Sequence, residues 1–197
     1  IILRLRQKSL DAMAYRYQDH YEKANELLAF LTFTGQHKPD LFGRQTVVQR
    51  DEGGYELSLV PSPNIVDSLT CERFRAYYRA IYPISLPVFT KYSWVHDEDV
   101  LITVQKGLVR DDGRLLMTLK EYFRDKQFGQ ADSELILMEI ARALAALHSC
   151  KTDHGQSLFY GCLTPRSIYL SFDCNKRIDR ITLPDHGIPF ASGGKRF

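Results

Sequence analysis

Residues 134–148 impose the tightest limit on what this chain can fold into. Leu137, Ile140, Ala141, Leu144 and Leu147 recur at three- and four-residue steps, the period of one helical face. Ile136, Met138, Ala143 and Ala145 carry apolar surface almost all the way round. A helix without a polar face has to be enclosed, so the expectation is a buried, central helix of a helical subdomain, capped by Asp132 or Ser133. The chain has the material to enclose it: 197 residues, 44% apolar and 25% charged, suffice for a substantial core in one or two subdomains.

Before this helix the sequence alternates between two periods. Leu10, Met13, Ala14, Tyr17, Tyr21, Ala24, Leu28 and Leu31 lie on one helical stripe, which predicts a helix over residues 8–31. Such a stripe either docks on its own domain or offers Tyr15, Tyr17 and Tyr21 to a protein partner. Residues 46–50 and 55–60 read as strands joined by Asp51-Glu52-Gly53-Gly54, with Pro61 and Pro63 ending the second. Residues 67–81 hold capping residues and then Phe74, Tyr77, Tyr78 and Ile81, a short helix stopped by Pro83. A second hairpin follows over 91–95 and 100–105, then a small helix within 115–126, and last two short strands, 167–172 and 180–183.

Charge excludes one class of partner. The net charge is +2, with Lys and Arg interspersed among Asp and Glu, so no basic stripe exists to neutralise a row of phosphates, and nucleic acid is not expected as a partner. No apolar run has the length of a bilayer span, and the opening Ile1-Ile2-Leu3-Arg4-Leu5-Arg6 is too short and interrupted for a signal-peptide core. A soluble protein without membrane contact is expected, in the reducing cytoplasm or as a secreted effector. Cys71, Cys150, Cys162 and Cys174 form no C-x-x-C pair. His148, Cys150, His154 and Cys162 are close in sequence, but their separations match no common zinc pattern, and buried or incidental thiols are the simpler reading.

Ala143 to His148 precede Gly161-x-Leu163-x-Pro165-x-x-Ile168-x-Leu170, and then comes Ile181-x-Leu183-x-Asp185-x-Gly187. These motifs, in this order of strands and helices, resemble the protein-kinase superfamily from residue 42 to about residue 191. The resemblance implies an α+β fold: a small antiparallel-sheet lobe over 41–106 and part of a helical lobe over 107–197, with an N-terminal helical extension over 1–40. It also implies where the chemistry would lie, since the family reads H-R-D-L-x-x-x-x-N and then D-F-G, the first Asp taking the substrate proton and the Asn and second Asp holding magnesium.

The departures share a direction. Cys162 stands in place of the proton-accepting Asp, and a thiol with a pKa near 8.5 is a poor substitute for a carboxylate base. Ser167 replaces the metal-binding Asn, Gly161 the phosphate-answering Arg, and Thr164 the usual Lys. Aligning Leu57-Ser58-Leu59-Val60 with V-A-I-K places Val60 at the phosphate-pairing Lys. Phe42-Gly43 is then the remnant of a glycine-rich loop, and Glu72 stands for the helix Glu, with Arg75 and Arg79 as its local partners.

Asp185 and Gly187 alone keep the chemistry to hold a divalent ion with a nucleotide, while His186 replaces the apolar Phe. The resemblance therefore implies a pseudokinase, a protein-binding scaffold or regulator without phosphotransfer and without a required cofactor. ATP and magnesium at Asp185 belong to the competing reading, a noncanonical transferase with Cys162 as nucleophile and Arg166 as its activator. An unrelated α+β interaction domain is the third.

Overall fold

Two strands with opposite faces both apolar set the architecture. The computed structural model describes residues 18, 21–24, 26, 31–39, 42–83, 88–90, 92–97, 100–125, 129–161, 163–184 and 187–193. β1 (Leu31–Pro39), β2 (Gly43–Arg50), β3 (Tyr55–Pro61), β4 (Tyr92–Asp97) and β5 (Val100–Gln105) form an antiparallel sheet in the order β1-β2-β3-β5-β4. Pairing of Val47 with Leu57 and of Leu59 with Thr103 fixes the register. Side chains alternate across a strand. Val47, Leu57, Leu59 and Leu101 accordingly serve clusters on the inner face, and Val48, Val60, Ile102 and Val104 form one with Ala24 on the outer face.

The sheet begins earlier than the sequence pattern suggests. Leu31 continues the apolar stripe of the N-terminal helix, yet residues 31–39 are strand paired with β2, so the sheet reaches into the region assigned to a helical extension. Thr32, Phe33 and Thr34 are the strand-favouring residues that override the stripe there. Residues 18, 21–24 and 26 are helical as expected.

α1 (Ser68–Ile81) crosses between β3 and β4. Asp67 caps it by accepting from the Thr70 backbone N–H at 2.7 Å, and the Thr70 hydroxyl donates at 2.8 Å to the Ile65 carbonyl. Phe74 and Tyr77 of α1 are fully buried.

β6 (Met117–Thr118), β7 (Tyr169–Phe172) and β8 (Ile178–Thr182) make a second antiparallel sheet. α2 (Leu119–Asp125) opens with a reciprocal cap, in which Glu121 accepts from the backbone and hydroxyl of Thr118 at 2.8 Å each. α3 (Gln130–Ser149) starts with Gly129 as its N-cap, earlier than Asp132 or Ser133. It is not enclosed: only Ile136, Ala143 and Leu147 are buried, while Leu137 and Met138 are 67% and 51% exposed. Ile136 and Ala143 meet Leu119, Tyr122 and the β7–β8 residues Leu170, Ile178 and Ile181, and Leu147 meets Tyr77 and Leu158. α4 (Ile188–Ala191) follows β8.

The two sheets are tied together at Leu183, whose N–H donates to the Val88 carbonyl at 2.7 Å and whose carbonyl accepts from Thr90 at 3.2 Å. The chain is thus an α+β protein with a five-stranded and a three-stranded antiparallel sheet. Among the described residues no helix is long and apolar enough to cross a membrane.

Candidate functional site

Ser167 closes its own turn. Its backbone N–H and its hydroxyl both donate to the Thr164 carbonyl, at 2.9 and 3.0 Å, and its oxygen accepts from the Thr164 N–H at 2.9 Å. The turn is anchored on α2, where the N–H groups of Lys120 and Leu119 donate at 2.8 Å to the carbonyls of Pro165 and Ile168. A hydroxyl used this way is an ST-turn group, a structural role that competes with offering its oxygen to a cation. Arg166 is exposed. Cys162, Asp185 and His186 lie outside the described residues, and so do Tyr15 and Tyr17. No group of three or more His, Cys, Asp or Glu among the described residues could hold a metal ion.

On β3, the residue that faces α1 is Leu59, which packs with Phe74 and Leu101. Val60 points the other way, against Ala24 and Tyr21. A shift of one residue reverses the face of a strand, so Leu59 lies on the inner face and Val60, the residue aligned with V-A-I-K from the sequence, on the outer one. Neither can pair with an anion. Glu72 lies on the exposed side of α1, and Arg79 approaches Asp153 at 4.0 Å.

Gly43 serves the sheet. A β-carbon there would overlap the Val60 carbonyl and lie 2.7 Å from Pro61 Cα, so its missing side chain lets β2 meet β3 closely. Phe42 is 2% exposed and joins the Leu59 cluster. Tyr21 is also committed within the chain: the Arg44 guanidinium sits 4.1 Å above its ring. Burial lowers the Arg44 pKa, with Tyr21 acting against that shift.

Beyond the Thr164–Ser167 turn and β8, α4 wedges beneath the sheet. Gly187 has φ 69°, and a β-carbon on it would lie 2.7 Å from Tyr77 Cδ1 and 3.2 Å from Phe74 Cε2. This lets Ile188 and Ala191 reach Leu59, Phe74 and Phe42, while Phe190 rests at 5.3 Å between centroids from both Tyr77 and Phe159. Gly161 completes the fit, since a β-carbon there would overlap that of Pro189. Val47, Leu57, Leu108 and Tyr169, each at most 3% exposed, pack together between the two sheets.

The inner face carries two buried polar atoms with no hydrogen-bond partner among the described residues, Thr103 Oγ1 and Gln105 Nε2. Gln105 Oε1 accepts from the Thr90 hydroxyl at 3.0 Å. Sequence reading missed α4 altogether. Its one available signal was Pro189, a residue suited to the first turn of a helix, amid the apolar Ile188, Phe190 and Ala191.

No family model matches the chain, and no curated protein matches it.

Proposed function

We propose that this chain is a kinase-like domain of the pseudokinase type, a protein-binding scaffold or regulator that transfers no phosphate. The observation that carries the reading is the apolar filling between the lobes: Val47, Leu57, Leu108 and Tyr169 on one side, Ile188 and Ala191 against Leu59 and Phe74 on the other. Phosphoryl transfer depends almost wholly on positioned charge around the phosphates and their metal. Leu59 supplies none where the phosphate-pairing lysine would stand, and Ser167 is engaged in its own turn. Asp185 remains as the one acidic group of the motif.

The test is thermal denaturation with ATP and magnesium or manganese, together with incubation with labelled ATP. The expected result is an unchanged melting temperature and no label on protein. A saturable rise that Asp185→Ala abolishes, or label transferred to this chain or to an added substrate protein, overturns the reading.

A further inference from the structure

We propose that Thr90 latches the five-stranded sheet to the end of β8, so that the two sheets open only as one body. This stands independently of the phosphotransfer reading.

The latch lies in residues 88–90, which follow α1 and precede β4. Val88 and Thr90 are buried there, and Leu183, the residue after β8, is fully buried as well. Phe89 and Leu183 form a parallel bridge, in contrast to the antiparallel pairings that build each sheet. The bridge engages both main-chain polar groups of Leu183, its N–H on the Val88 carbonyl and its own carbonyl on the Thr90 N–H. Parted from these partners inside the protein, the groups would be left unsatisfied, so the end of β8 is held or released as a unit.

The Thr90 side chain makes the second half of the latch. Its hydroxyl donates to Gln105 Oε1 at 3.0 Å, and both residues are buried. Gln105 pairs with Leu57 across β5 and β3, so this bond reaches the inner face of the five-stranded sheet. A single residue is thus bonded through its main chain to the end of β8 and through its side chain to β5. Threonine suits the task, because β-branching restricts χ1 and keeps the hydroxyl in place. Phe89 adds to the hold: its ring lies 6.1 Å from that of Tyr160, whose hydroxyl donates to the Pro184 carbonyl at 3.4 Å. Leu183 and Pro184 are the residues that lead to Asp185. The backbone entering that segment therefore moves with the five-stranded sheet.

Native-state hydrogen exchange of the whole chain, followed segment by segment as urea is raised, tests the latch. In the wild type the amides of β2 and β3 and those of β7 and β8 should report one shared opening, with equal protection. Thr90→Val exchanges the hydroxyl for a methyl group and should separate them. The β7 and β8 amides should then lose about fivefold or more protection beyond any loss in β2 and β3. Thr90→Ser keeps a hydroxyl and should leave the two sheets equal. An ordinary core residue would lower both sheets by the same factor on Thr90→Val, and that result overturns the proposal. Unequal protection in the wild type overturns it too. Should Thr90→Val not fold, Gln105→Met removes the acceptor instead and is read by the same comparison, with the same outcomes for and against.

Discussion

Gly161 and Pro189 touch so closely that a β-carbon on Gly161 would occupy the place of the Pro189 side chain. The loop before Thr164 and the short helix α4 are thereby fitted to one another, and a glycine at 161 is what this fit requires. Gly161→Ala should destabilise the fold by about 1–3 kcal/mol through overpacking alone. For a chain of this size that is a fall of roughly 2–4 °C in melting temperature per kcal/mol. Pro189→Gly in the same background should recover part of the loss. Strict additivity in a double-mutant cycle by chemical denaturation would show that the two residues do not oppose each other.

Gly187 and Gly53 separate backbone conformation from packing. Both have positive φ, 69° and 88°, but nothing lies within 4 Å of a β-carbon on Gly53, whereas one on Gly187 meets Tyr77 and Phe74. Gly53→Ala should lose about 1–2 kcal/mol for the left-handed conformation. Gly187→Ala should lose that and about 1–3 kcal/mol more from overpacking. Equal losses in urea titrations would mean that α4 does not press on α1.

The legible parts of this fold were those with a local cause. The β2–β3 hairpin announces itself by two alternating runs around Gly53-Gly54, and α1 by Asp67 and the spacing of Phe74, Tyr77 and Ile81. Leu31 misled because the helical stripe and the strand β1 overlap there, and only pairing with β2 decides between them. The inward choice of Leu59 over Val60 is likewise invisible in a run of apolar residues, since either register buries a hydrophobe. α3 shows a further limit: its sequence is apolar on every side, but how many sides are covered depends on elements far away in the chain. In the candidate site the uncharged character of Val60, Gly161, Thr164 and Ser167 is plain in the sequence. That α4 fills the space beneath the sheet is not, because four residues make too short a period to detect.

Leu59→Lys places a lysine on the inner face and, on the reading proposed above, should not confer nucleotide binding. Leu59 is fully buried among Phe42, Phe74, Leu101 and Ile188, and Glu72 lies on the exposed side of α1. A buried charge left without a partner is destabilising by about 3–5 kcal/mol. The variant is expected to unfold at lower denaturant and to gain no stability from ATP with magnesium. A nucleotide-dependent rise in melting temperature would show that the inner face can open.

Thr103 and Thr90 should answer the same substitution with opposite signs. Thr103 Oγ1 is buried with no hydrogen-bond partner among the described residues, so Thr103→Val removes an unsatisfied group and should stabilise by about 1 kcal/mol. Thr90 donates to Gln105 Oε1, so Thr90→Val leaves a buried amide oxygen without that donor and should destabilise by about 1–2 kcal/mol. Both shifts are within reach of equilibrium unfolding in urea. A loss of stability in Thr103→Val would reveal a partner for that hydroxyl.

Tyr122 links stability to alkaline pH. Its ring is 5% exposed, and its hydroxyl lies 3.4 Å from Asp132 Oδ2. Burial first, then the nearby carboxylate and the hydrogen bond to it, hold the phenol above its ordinary pKa. The folded state therefore keeps this proton where an unfolded tyrosine, with a pKa of about 10, begins to lose it. The stabilisation is whole below that pH and is lost as the pH rises through the folded value. Tyr122→Phe should cut the decline in stability above pH about 10 while changing neutral-pH stability little. Tyr78 is shifted in the same direction, by burial and then by Tyr82, so part of the decline should remain. Denaturation series at neutral and alkaline pH decide the matter. An unchanged alkaline slope in Tyr122→Phe would place the titrating group elsewhere.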